Sequence, residues 1–232
     1  MQRSEAPEIA KADYAVVALF VCLATGFTAA AIIQHRWAQE TRRLAAIGRY
    51  NARPDEVIGK APHVRGPSRA PYVLVEIGDY ECGPCRAMEP RVKALLQKHE
   101  GNLALVFRDL PLTTIHSRAM HAAALANRAT NAADHWAIHD LLYSAKIDAS
   151  SLRRATEVLA QCTTQPLDEK AAMSRVNESI RVAKRLGIGG TPTFALVCPG
   201  GIVRRVQRLE EVEELLNAAA RACAANDREA HR

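Results

Sequence analysis

Aromatic residues are scarce: phenylalanine, tyrosine and tryptophan make up 5% of the 232 residues. With alanine abundant, this favours a helix-rich core packed from small side chains. No cluster of lysine and arginine with interleaved aromatics occurs, so the net charge of +6 describes a solvated basic surface and no nucleic-acid partner is expected. A second close pair of cysteines is also missing. Cys82 and Cys85 form one Cys-x-x-Cys, whereas Cys22, Cys162, Cys198 and Cys223 stand singly, which leaves a tetrahedral zinc or iron–sulfur site short of ligands. His135 and His139 stand four apart, with His116 and His121 nearby in sequence, but no zinc-protease glutamate accompanies them. They read as hydrogen-bonded or surface histidines, and no metal or cofactor is expected.

What is present is a reactive pair in a telling place. Val73, Leu74, Val75 and Ile77 make a short apolar run between Pro71 and Gly78, as in a buried central strand. Met88, Val92, Leu95 and Leu96 then repeat at helical spacing, so Cys82 and Cys85 fall where strand passes into helix. The first helical turn has unpaired N–H groups and partial positive charge, which stabilise a thiolate at Cys82. Cys85, one turn further in, is placed to close a disulfide and release what Cys82 has captured.

Cys82-Gly83-Pro84-Cys85 resembles the thioredoxin active-site tetrapeptide, and Gly78-Asp79-Tyr80-Glu81 before it resembles the lead-in of DsbA-like thioredoxin-fold proteins. The resemblance covers roughly 72–225. It implies protein thiol–disulfide exchange, with protein thiols or disulfides and a redox partner protein as partners. It also implies that Glu76 is the buried acid under the dithiol, a proton acceptor for Cys85, and that Pro90 kinks the first helix. In Gly187-Ile188-Gly189-Gly190-Thr191-Pro192-Thr193 it implies a cis Pro192 facing the dithiol. Gly83, Pro84, Thr191 and Pro192 would then bind the substrate segment, which could pair with the Thr191 backbone like an added strand. Gly-Pro between the cysteines resembles reducing thioredoxins while the body resembles a group rich in oxidants, so the direction of electron flow stays open. A peptide-binding or chaperone module with an incidental dithiol is the alternative.

The rest of the pattern suits that fold. Leu103 to Phe107 is a second apolar run, expected parallel to the first. About 115–186 reads as four helices inserted into the core, the last stopped by Gly187. Cys162 falls here, where related chains often carry a second disulfide, but the helix that would supply its partner holds no cysteine. Phe194 to Val197 and Ile202 to Val206 read as a hairpin with Cys198 at an exposed tip, and the helix from Leu209 to Ala225 as carrying Cys223 on its buried stripe.

The expected fold is therefore α/β, a thioredoxin fold with a helical insertion, at 71–226, followed by a tail at 227–232. Before it, a polar tail at 1–13 leads to 14–33, twenty residues without a charge, long enough to cross a bilayer once as a helix. Arg3 and Lys11 ahead of it and Ala29-Ala30-Ala31 within it also fit a signal peptide. Arg36, Arg42, Arg43, Arg49 and Arg53 after it would hold the domain in the cytoplasm, whereas the resemblance implies a catalytic domain outside. The stretch 34–70, rich in arginine and proline, reads as a tether.

Overall fold

The computed structural model describes residues 9–46, 48–60 and 62–230. It divides into two units, Met1–Ala46 and Ile47–Arg232. The described part of the first is one helix, α1 (Ile9–Ala46), whose large side chains Val21, Leu23, Phe27, Ile32 and Ile33 are exposed. Among the described residues no helix is long and apolar enough to cross a membrane. The side chains at 14, 15 and 17–20 of the expected anchor lie outside those described.

The second unit is built on a sheet of five strands among the described residues, in the order β1-β3-β2-β4-β5. β2 (Tyr72–Gly78) and β3 (Leu103–Asp109) run parallel, joined by α3 (Gly83–Lys98). β4 (Thr193–Val197) lies antiparallel to β2, and β5 (Val203–Val206) antiparallel to β4. Both central strands are nearly continuous apolar runs because helices cover the sheet on both faces. Leu74, Leu105, Phe107, Phe194 and Leu196 pack with α3, the inserted helices and the start of α8 (Leu209–Ala230). Val75, Ile77, Val106, Ala195 and Val203 pack on the other face with Val57, Ala183 and Ile188.

The insertion is helical, as its periodicity predicts: α4 (Ala119–Asn127), α5 (Ala132–Ser144), α6 (Ala149–Ala160) and α7 (Glu169–Arg185). Ala119, Ala122, Ala123, Ala124 and Ala126 are all buried, so small residues let α4 approach its neighbours closely. Asn131, Asp148 and Asp168 cap α5, α6 and α7 by accepting backbone N–H bonds, each worth about 1 kcal/mol.

Two expectations need correction. The stretch 34–70 is not a tether from residue 48 onward. It supplies α2 (Pro54–Ile58), whose Val57 is buried, and strand β1 (Val64–Arg65), which pairs antiparallel with β3. Tyr50 N–H also donates to the Val203 carbonyl at 3.0 Å, so this stretch closes both edges of the sheet. Its elements are too short to show a period, which is why the sequence pattern hides them. Cys198 is half-buried against the core rather than exposed at a tip, because its N–H and the Ile202 carbonyl close the hairpin at 2.8 Å. The side chain of Cys223 lies outside the described residues.

Candidate active site: a dithiol at the head of a helix

Cys82 is the N-cap of α3, Pro84 occupies its first turn and Cys85 follows. Proline is tolerated there because an N–H in the first turn has no helical acceptor. Both cysteines are free thiols and buried, with Cys82 4% exposed and Cys85 wholly enclosed. The Thr191–Pro192 bond is cis, as the resemblance implies. It brings the Thr191 carbonyl to 3.6 Å from the Cys82 sulfur, which donates to it. Burial pushes the Cys85 thiol upward, against hydrogen bonds from the Asp79 backbone and the Thr191 side chain. Cys82 is also within hydrogen-bonding reach of that sulfur. Cys85 is therefore kept protonated until a base takes its proton.

Of the other expected substrate residues, Gly83 and Pro84 are exposed beside the thiols and Thr191 and Pro192 are half-buried across from them. A Cβ at Gly83, Gly189 or Gly190 would meet nothing within 4 Å, so bare backbone borders the dithiol on two sides. Pro90 lies inside α3 and does not end it.

Glu76 sits in the middle of β2, opposite Phe107 on one side and Phe194 on the other. It is 0% exposed, and neither carboxylate oxygen has a hydrogen-bonding partner among the described groups. Burial, then the charge of Glu89, raises its pKa from 4.5 to about 8. Among the described residues no lysine or arginine pairs with it.

The structure adds residues that the sequence pattern did not single out. Glu89 lies one turn after Cys85 on α3 and is buried. Lys93 Nζ is 3.1 Å away, Arg65 3.7 Å and His139 Nε2 3.7 Å. Burial pushes its pKa up, but His139 and Lys93 outweigh that and hold it at about 2. His139 itself is lowered, chiefly by burial, so Lys93 and Arg65 are the lasting source of this charge balance. The other nitrogen of His139 meets the Tyr80 hydroxyl at 3.1 Å. Ligand atoms of Glu89, His139 and Asp140 cluster closely enough for a metal, yet Lys93 also lies 3.0 Å and Arg65 2.8 Å from Asp140, and these cations already neutralise the cluster. His135 points elsewhere, stacked on His63 with ring centroids 4.3 Å apart and bonded to the Ala126 carbonyl. The two lid histidines thus do not converge on one ligand.

A cis proline facing an enclosed Cys-x-x-Cys at the head of a helix, on a four-stranded core extended by β1 and interrupted by four helices, defines a thioredoxin-fold protein with a helical insertion. A family model described as thioredoxin matches residues 59–218, and the chain belongs to that family. The chain is 37% identical over 146 residues to Na(+)/H(+) antiporter NhaA 1 of Salinispora arenicola, covering 57% of this chain but 21% of that protein. It therefore spans about a fifth of the length of that relative. With disulfide bond formation protein D of Bacillus subtilis it shares 21% identity over 174 residues, covering 68% of this chain and 76% of that one. The crystal structure of Pseudomonas aeruginosa DsbA2 has the same fold, with a TM-score of 0.53 at 23% identity, over 69% of this chain and 94% of DsbA2.

Proposed function

We propose that this chain is a membrane-anchored protein thiol–disulfide oxidoreductase working through Cys82 and Cys85. The observation that carries the reading is the free dithiol on α3, with the Cys82 sulfur 3.6 Å from the carbonyl that precedes the cis proline.

In the reducing direction the Cys82 thiolate attacks one sulfur of a substrate disulfide. A mixed disulfide forms and the other substrate sulfur leaves as a thiolate. Cys85 then gives its proton to the Glu76 carboxylate and attacks the Cys82 sulfur. The mixed bond breaks, the second substrate thiolate leaves, and Cys82–Cys85 is oxidised as the substrate gains two electrons. The oxidising direction runs the same steps backwards, and a redox partner protein resets the couple. Bare backbone at Gly83, Gly189 and Gly190 supports docking of an extended substrate segment across the thiols.

Membrane attachment through 14–33 is supported by the continuous helix α1 and the exposed large side chains along it. The likeness to DsbA-type folds favours a catalytic domain outside the cytoplasm. Reduction of insulin by the full chain in detergent tests the activity: turnover should vanish in Cys82→Ser, and turnover that survives this change would sink the reading.

A further inference from the structure

The loop that carries the dithiol is stapled to the entry of the helical insertion, and one residue on the insertion side has no part in the chemistry above. Asp79 has a wholly buried side chain with both oxygens engaged. Oδ1 accepts the Glu81 N–H at 2.8 Å. Oδ2 accepts the Leu112 N–H at 2.8 Å and lies 2.7 Å from His116 Nδ1, on a ring that is one-fifth exposed. A second staple follows, where Glu81 Oε2 accepts the Arg118 N–H at 2.7 Å. The main chain of Asp79 meanwhile serves both thiols. Its carbonyl accepts the Cys82 N–H at 3.1 Å, and its backbone hydrogen-bonds the Cys85 sulfur.

We propose that His116 is a positioning residue for the redox couple: its Nδ1–H holds Asp79, and the main chain of Asp79 in turn holds Cys82 and Cys85 in the reduced geometry. His116 is reached only after β3 has ended, in the segment Leu110 to Arg118 that leads into α4, so the seating of the insertion and the state of the dithiol are mechanically linked. A bond to a buried carboxylate is among the stronger hydrogen bonds, because the acceptor has no water to replace the lost donor. Without it the buried Oδ2 keeps only the Leu112 N–H, the loop relaxes, and the reduced dithiol loses backbone support that its disulfide form does not share to the same degree. The couple then becomes more reducing.

The inference rests on the exchange activity proposed above, so the measurement should not depend on a protein substrate. The equilibrium constant of the Cys82/Cys85 couple with glutathione is determined for the full chain in detergent, alongside insulin turnover. His116→Ala should shift the equilibrium roughly tenfold toward the disulfide, the scale of one charge-assisted hydrogen bond. His116→Asn places an amide nitrogen where Nδ1 stands and should restore most of the wild-type value. His116→Gln, whose nitrogen falls nearer the position of Nε2, should behave like the alanine variant. An unchanged equilibrium in His116→Ala, or no rescue by asparagine, overturns the proposal. A wild-type chain that equilibrates with glutathione but never turns over insulin would instead overturn the oxidoreductase reading and leave the role of His116 to be judged on the equilibrium alone.

Discussion

The Cys82 sulfur donates to the carbonyl oxygen of Thr191, 109 residues away in sequence and 3.6 Å away in space. That contact puts the attacking sulfur beside a backbone strip that an incoming chain can pair with, and it leaves Cys85 enclosed behind. Cys85→Ser should therefore accumulate mixed disulfides between Cys82 and protein partners, visible as thiol-sensitive bands on non-reducing gels. Cys82→Ser should form none. Equal trapping by both variants would mean that another cysteine does the chemistry.

Glu76 gives a signature in pH. Its folded pKa of about 8 stands above the unfolded value of 4.5, so between these pH values the folded chain binds more protons than the unfolded chain. Stability must then fall as pH rises through that window, by roughly 2–4 kcal/mol in total at 1.36 kcal/mol per unit with allowance for relaxation. Glu76→Gln should flatten the slope. Urea midpoints at pH 5 and pH 8.5 check this: the variant should gain on the wild type at the higher pH. The same change should slow resolution by Cys85 by about 10² at neutral pH, the low end of what a positioned proton acceptor contributes.

The lid histidines make the opposite demand. Burial, with the neighbouring rings of His63 and His139, lowers the pKa of His135, against the raising effect of its bond to the Ala126 carbonyl. An imidazole held neutral in the folded state gives stability that is fully present above its unfolded pKa and lost as pH falls below it, by up to about 1.4 kcal/mol per unit. His135→Phe keeps the ring and should lose roughly 1 kcal/mol at pH 7.5 through the missing hydrogen bond. It should also unfold less steeply than the wild type between pH 6.5 and 5. Parallel acid profiles would show that His135 does not carry the proton.

The α1 segment is tested by fractionation. If 14–33 anchors the chain, the full protein should sediment with lipid vesicles and the fragment 47–232 should stay in the supernatant. Co-sedimentation of the fragment would move the attachment to the second unit.

The parts of the fold that were legible in the sequence share one property: enough residues to display a period or a fixed chemical motif. β2, β3 and the four inserted helices are long enough for apolar spacing to show, and the site was readable because Cys82, Cys85 and the Thr191-Pro192 pair are chemically distinctive. β1 has two residues, Val64 and Arg65, and no pattern exists at that length. The cluster of Glu89, His139, Tyr80, Lys93 and Arg65 was hidden for another reason. Apart from Glu89 and Lys93, four apart on α3, its members come from α5, β1 and the redox loop, and at such separations in sequence they carry no sign of partnership until the sheet brings them together. The role of His116 was hidden in the same way, since its acceptor, Asp79, lies 37 residues earlier.

Arg65 shows what a two-residue strand can do. Its guanidinium lies over the Trp136 ring at 4.3 Å from the centroid, 2.8 Å from Asp140 and 3.7 Å from Glu89, and it donates to the Trp136 carbonyl at 3.4 Å. One side chain from the sheet edge thus grips α5 and neutralises the buried acid on α3. The contacts are partly shielded from water, so they escape much of the screening that makes surface ion pairs weak. Arg65→Met keeps the apolar stem on Trp136 and should cost roughly 2 kcal/mol, from the lost cation–π contact and from a buried Glu89 left with Lys93 as its remaining cation. Arg65→Lys should recover less than half, because an ammonium cannot stack on indole and reach two carboxylates with one planar fork. Amide exchange separates local from global effects: in Arg65→Met, protection should fall first in α5 and the end of β1 while β2 and β4 hold theirs. Uniform loss across the sheet would mean that Arg65 supports the whole core rather than the seam between β1 and the inserted helices.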